Sequence, residues 1–221
     1  MTSAMTVMIS VKNVSKAVGE KKPRRRLWEK LSFDVSSGEL VSVTGPSGCG
    51  KSTLLNCLGL LDRPDNGDID IKGIPLASAS ARQRMRMRRE SVGYLFQDYA
   101  LIDNDTVRQN IALGSRARGR QLTEDIAQAL AEVGLEGYEN HRVYQLSGGE
   151  QQRVAIARLS VRKPEVILAD EPTASLDRSN AASVLTHLRT LSDHGAAVIV
   201  VSHDPWVIAQ TDRTIELGEN S

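Results

Sequence analysis

Aromatic residues are scarce in this 221-residue chain, with two Trp, four Tyr and two Phe. Its basic stretches therefore have no interleaved rings on which nucleobases could stack. Cysteine is scarcer still: Cys49 and Cys57 are too few for a disulfide scaffold. Both fall in an expected loop-to-helix segment, where eight helical positions separate them by about 12 Å. That is too far to bridge, and the chain reads as reduced and cytoplasmic. Long apolar runs are absent. The longest, Ala196 to Val201, falls well short of the roughly 20 residues a membrane helix needs. Met1 to Val11 shows no charged head followed by an apolar stretch, so no secretory signal is expected. A charge excess is missing too. Lys plus Arg number 28 against 27 acidic residues, a net charge of +1 that gives no support to general nucleic-acid binding. No repeat at a 20–50 residue period is visible.

What is present is ordinary for a soluble globular protein: 40% apolar and 25% charged residues, a balance that argues against disorder. The length suits one large domain or two small ones, with enough chain to bury a sizeable core. Charge is uneven only locally. Glu20 to Arg26 is basic and marked by Pro23, and Arg82 to Arg89 holds five arginines. A solvated turn or helix face is favoured over an anionic-partner site for each.

Leu40 to Val43, Val166 to Ala169 and Ala197 to Val201 are continuous apolar runs, as expected of strands buried on both faces of a parallel sheet. Helical segments lie between them. The clearest is expected over Glu124 to Val133, capped by Thr123 and ended by Gly134, with Ile126, Leu130 and Val133 on one stripe. From about Asp98 to Ala157 the signals are mainly helical. This reads as a helical insert (98–157) in an α/β core (1–97 and 158–221).

Gly45-Pro46-Ser47-Gly48-Cys49-Gly50-Lys51-Ser52 fits the phosphate-loop pattern, preceded by an apolar strand and followed by a helical run from Thr53. Glycines let the backbone curl so that successive N–H groups face phosphate oxygens, and the helix N-terminus adds partial positive charge. Lys51 would reach the β- and γ-phosphates, and Ser52 would bind Mg²⁺. Cys49 is read as a small loop residue rather than a reactive thiol. A second apolar strand ends in Asp170-Glu171, at the sheet edge where ligands bind in open α/β folds. Asp170 is placed to hold Mg²⁺ through its water shell, and Glu171 to act as general base on a water. Asp-Glu-Pro could equally start a helix, but the phosphate loop in the same chain favours the metal-and-base reading. His203 follows a third strand, near the expected γ-phosphate; His141, His187 and His194 are read as structural.

Leu146-Ser147-Gly148-Gly149-Glu150-Gln151-Gln152-Arg153, together with the phosphate loop, resembles the ATP-binding subunit of ABC transporters. The resemblance runs in order along nearly the whole chain. Gln97 resembles the Q-loop glutamine, Ser175-Leu176-Asp177 the D-loop, and His203 the switch histidine. Spacings also match: 96 residues from Lys51 to Ser147, 23 on to Asp170 and 33 on to His203. Gly59 to Pro64 and the compact length resemble the lipoprotein-release and macrolide-export subgroup, which also includes antimicrobial-peptide and haem exporters.

The resemblance implies a P-loop NTPase core with a mainly parallel sheet, an N-terminal antiparallel β portion and the helical insert. It implies ATP and Mg²⁺, with Gly45 to Thr53, Gln97, Ser147, Gly148, Gly149, Glu150 and His203 at the nucleotide. Ser52, Gln97 and Asp170 would stand at the metal, and Lys51, Glu171 and His203 would take part in hydrolysis. Ser147 and the bare N–H groups of Gly148 and Gly149, ahead of a helix expected near Glu150, form a second anion-binding terminus. One chain cannot easily use both termini on one phosphate. The implied solution is a head-to-tail homodimer that sandwiches ATP and drives separate integral-membrane permease subunits from the cytoplasmic face. Asp98 to Leu101 is a plausible landing site for such a subunit. No nucleic-acid partner is expected.

Two departures stand out. Val18 occupies the position where the family usually carries an adenine-stacking aromatic, so adenine discrimination is expected to be weak unless Trp28 or a partner residue substitutes. The chain also stops 18 residues after His203, so no C-terminal dimerising domain is expected. A soluble, non-transport ATPase of the same type is the alternative. A GTPase or nucleotide kinase is disfavoured, since no Asn-Lys-x-Asp guanine motif is present. The cargo is not written in this chain.

Overall fold

The computed structural model describes residues 6–19, 24–174 and 176–218. Two sheets organise it. Strands β1 (Val7–Val18), β2 (Arg25–Ser36), β4 (Asn66–Ile71) and β5 (Ile74–Pro75) form an antiparallel sheet ordered β2-β1-β4-β5. The second sheet is wholly parallel and ordered β6-β7-β8-β3-β9, from β3 (Leu40–Thr44), β6 (Val92–Leu95), β7 (Val166–Asp170), β8 (Ala197–Val201) and β9 (Arg213–Glu216). Its three central strands are the three continuous apolar runs of the sequence.

These strands lack polar alternation because both faces are covered. Val41, Val43, Val166, Leu168, Ile199 and Val201 enter one core, shared with the antiparallel sheet and with α1 (Lys51–Leu58). Their neighbours Leu40, Ile167, Ala169, Val198 and Val200 enter a second core with α5 (Gly148–Arg162) and α6 (Arg178–Asp193). The helices between β6 and β7, namely α3 (Val107–Ala112), α4 (Gly119–Glu132) and α5, send Val107, Ile111, Ile126 and Leu130 into that same second core. The insert is thus packed continuously with one face of the sheet. His187 on α6 adds a polar tie, with its ring nitrogens 2.7 Å from the Ser183 carbonyl and 3.0 Å from the Glu132 carbonyl at the end of α4.

Three helix starts differ from expectation, α1 beginning at Lys51 rather than Thr53. α4 begins at Gly119, so Thr123 is interior rather than a cap; its hydroxyl donates to the Gly119 carbonyl at 3.2 Å. Pairs one turn apart, Arg120 with Glu124 and Gln121 with Asp125, sustain the extra turn. α5 begins at Gly148, two residues before Glu150, because Ser147 caps it.

Both cysteines are free and buried. Burial pushes the Cys57 thiol up to about 12, and Cys49 is packed inside the phosphate loop as a small residue. Arg82 to Arg89 lie on α2 (Ala81–Glu90), which Ser80 caps. Arg84 and Arg88 donate to the Ala79 and Leu60 carbonyls, while Arg86 pairs with Glu90. Of the other basic stretch, residues 20–23 lie outside the described residues; Arg24 pairs with Asp65 and Arg26 with Glu29.

Candidate nucleotide site

All five strands of the parallel sheet run the same way, so the ends of β3, β6, β7 and β8 deliver their following residues to one edge. The phosphate loop follows β3, Gln97 follows β6, Asp170 and Glu171 end β7, and His203 follows β8. This is the edge at which open α/β sheets bind ligands.

The loop's glycines are required by geometry. Gly45 has φ 147°, and a Cβ there would lie 2.4 Å from the Leu217 carbonyl oxygen and 2.8 Å from Cys49 Sγ. Gly50 has φ 99° and caps α1; a Cβ there would lie 2.8 Å from Leu27 Cδ1 and 3.0 Å from Trp28 Nε1. Only glycine fits both the backbone conformation and the space. The curled loop leaves backbone N–H groups at the start of α1 for an anion. The Lys51 ammonium lies over it, donating to the carbonyls of Gly45 at 2.8 Å and Pro46 at 3.1 Å. Incoming phosphate oxygens would exchange with these carbonyls.

The acidic strand end faces this loop. The Ser52 hydroxyl lies close enough to the Asp170 carboxylate to act on it. Burial pushes the Asp170 carboxyl up, Ser52 pulls it down, and Glu171 pushes it up again. A hydroxyl and a half-buried carboxylate with a second carboxylate alongside are hard oxygen donors that suit Mg²⁺. Glu171 sits at φ 46°, its amide donating to the Val201 carbonyl at 3.0 Å across the strand ends. His203 Nδ1 lies 2.9 Å from Glu171 Oε1, and that hydrogen bond holds the exposed imidazole above the usual histidine range. Gln97 is exposed at the end of β6, whose Leu95 registers with Ala169 beside Asp170.

An open cavity of about 800 Å³ joins the phosphate loop to Glu171 and His203, while Asp170 and Gln97 do not line it. Its floor is Gly45, Ser47, Gly48 and Gly50 to Thr53, and one wall carries Glu171 and His203. The other wall, from the antiparallel sheet, is Val18, Arg25 and Leu27. Sequence reasoning missed Arg25 and Leu27. The signal for them is the pairing of Val18 with Arg25 across the β1–β2 ladder, which bulges make hard to count. Trp28, weighed as a base-stacking substitute, is fully buried and contributes no face to the cavity.

The Ser147-capped start of α5 is separate from this cavity. Ser147 Oγ accepts from the Glu150 amide at 3.4 Å, while the Glu150 carboxylate accepts from Ser147 N at 2.8 Å and Oγ at 2.7 Å, a capping box. These bonds with Ser147 hold the Glu150 carboxyl below the usual range. A Cβ on Gly148 would meet nothing within 4 Å, and one on Gly149 only Arg153 at 4.0 Å. Among the described residues, nothing demands glycine there by contact. Residues Ser147 to Glu150 do not line the phosphate-loop cavity. Gln152, also missed, is buried on α5 and donates to the Pro172 carbonyl, tying this helix to the loop after Glu171. Ser175 lies outside the described residues. Asp177 caps α6, accepting from the Asn180 amide at 2.9 Å.

Known proteins share this arrangement. A family model described as ABC transporter matches residues 28–174. The macrolide export ATP-binding/permease protein MacB of Escherichia coli K12 is 38% identical over 218 residues, covering 97% of this chain and 34% of that protein. MacB of Neisseria gonorrhoeae is 38% identical over 215 residues, covering 96% and 33%. The chain thus spans about a third of the length of these curated relatives. The dimeric structure of MJ0796, a bacterial ABC transporter cassette, superposes with a TM-score of 0.87 at 35% identity, covering 96% of this chain and 95% of that one. A dimeric post-hydrolysis state of the same ATP-binding cassette, bound to ADP and Pi, also gives 0.87, at 34% identity. With a phosphate loop, an acidic strand end and a Ser147-capped helix on this shared frame, the chain belongs to the ABC transporter family, as an ATP-binding cassette.

Proposed function

We propose that the chain hydrolyses ATP as the motor of a transporter, working as a head-to-tail pair of cassettes. One observation carries this reading: the phosphate loop and the Ser147-capped start of α5 are both helix N-termini, the kind of place where an anion is received, yet Ser147 to Glu150 do not line the phosphate-loop cavity. A twofold arrangement in which each start of α5 caps the partner's nucleotide uses both. The glycines at 148 and 149, which nothing among the described residues crowds, leave that approach open.

In this reading, the loop from Gly45 to Thr53, through its backbone N–H groups other than at Pro46, and the Lys51 ammonium cradle the phosphates. Ser52, Asp170 and Gln97 would hold Mg²⁺, whose chemistry when bound would be to neutralise phosphate charge. Glu171 accepts the proton of the attacking water, with His203 fixing its carboxylate through the 2.9 Å contact. Ser147, Gly148, Gly149 and Glu150 close the site from the partner. Residues 98–157 form the insert that meets a membrane permease. Among the described residues no helix is long and apolar enough to cross a membrane, so the membrane path would come from another polypeptide segment or subunit. The macrolide-export relatives make export or extraction of a hydrophobic or amphipathic substrate the direction to test first.

Glu171→Gln provides the test. Hydrolysis is expected to fall by about 10²–10⁴-fold, the usual worth of a general base. ATP binding should persist, and light scattering should show a nucleotide-dependent pair. Near-normal turnover would remove Glu171 from the role of base; a strictly monomeric ATP complex would remove the sandwich.

A further inference from the structure

The antiparallel-sheet wall of the cavity has a composition of its own. Val18 and Leu27 are aliphatic, and Arg25, the cross-strand partner of Val18, is the one charged residue on that wall among the described residues. Among the described residues no aromatic ring lines the cavity. Arg25 Nη2 donates to the Gly48 carbonyl at 3.1 Å, and the guanidinium lies 3.2 Å from where a Gly48 Cβ would stand. The side chain is therefore held at the lip of the phosphate loop rather than extended into solvent.

Guanidinium N–H bonds lie in the plane of the group, so the bond to Gly48 uses an edge of the group and not a face. A planar cation backed by aliphatic side chains is a surface on which an aromatic heterocycle stacks. The phosphate end of a nucleotide is already claimed by the loop amides, Lys51 and the Glu171–His203 wall, so the base has the opposite wall to meet. We infer that Arg25 is the nucleobase platform of this site, holding the base by guanidinium stacking in place of an aromatic ring. This rests on the nucleotide-site reading above and assigns a residue that reading leaves out.

Binding of Mg-ATP and of Mg-tripolyphosphate, which has the phosphates but no base, separates the possibilities. Base–side-chain stacking is worth a factor of about 5–150 in affinity. Arg25→Ala is expected to weaken ATP by a factor in that range and to leave tripolyphosphate unchanged. Arg25→Lys, which keeps the charge but loses the plane, should behave like Arg25→Ala. Arg25→Tyr, which supplies a ring at the same wall, should restore ATP affinity. Three results would overturn the inference: unchanged ATP affinity in Arg25→Ala, equal losses for ATP and tripolyphosphate, or full retention by Arg25→Lys. The last two would make Arg25 a phosphate contact. If the unmodified protein bound neither probe, the nucleotide-site reading itself would fall, and this inference with it. Retained tripolyphosphate binding by Arg25→Ala shows that the variant's loop is intact.

Discussion

Gly45 is the residue on which the phosphate cradle closes. A methyl group there would press on the Leu217 carbonyl, a backbone atom that cannot swing aside. Gly45→Ala is expected to abolish nucleotide binding in titration calorimetry while the rest of the chain still folds. His203 offers a second test. Its midpoint is raised by the Glu171 carboxylate, so the pair's stabilisation is complete below the ordinary histidine value near 6.5. It is lost as pH rises through the higher folded-state midpoint. In an NMR titration the His203 ring should titrate above 6.5, and Glu171→Gln should bring it back down. An unmoved midpoint would mean that the 2.9 Å contact does not persist in solution. At this scale the site was largely legible. Lys51, Ser52, Asp170, Glu171 and His203 each stand in a fixed position relative to a strand end or loop, and sequence spacing records that. Arg25 was not legible, because its place depends on pairing across the bulged β1–β2 ladder.

Elements were legible where their physics is local. The three apolar runs became strands because continuous branched residues suit a sheet covered on both faces. The start of α4 was misread because Thr123 resembles a cap, whereas the flanking ion and amide pairs extend the helix a turn earlier. The two threonines of the insert should therefore behave differently. Thr106 is a genuine cap of α3, its hydroxyl accepting from the Gln109 amide at 3.1 Å. Thr106→Ala is expected to cost about 1 kcal/mol in unfolding free energy, and Thr123→Ala considerably less. Equal effects in urea unfolding would contradict the assigned helix start.

On the scale of the whole molecule, neighbouring residues of one strand serve different cores: Leu168 packs toward the antiparallel sheet, Ile167 toward the helices. Gln152 bridges across, donating from α5 to the loop after β7. Gln152→Ala would leave a buried carbonyl without its donor, a loss of about 1–3 kcal/mol. If the bridge also transmits the position of α5 to Glu171, hydrolysis should fall more than ATP binding does. The continuous second core implies that a fragment limited to 98–157 would expose the apolar side of α5 that the sheet now covers. The uncrowded glycines at the head of α5 have the opposite character. A side chain grafted at Gly148 would be invisible to melting curves and spectroscopy of a solitary cassette. Its damage would show only in company, as a motor whose halves are each sound but cannot mate.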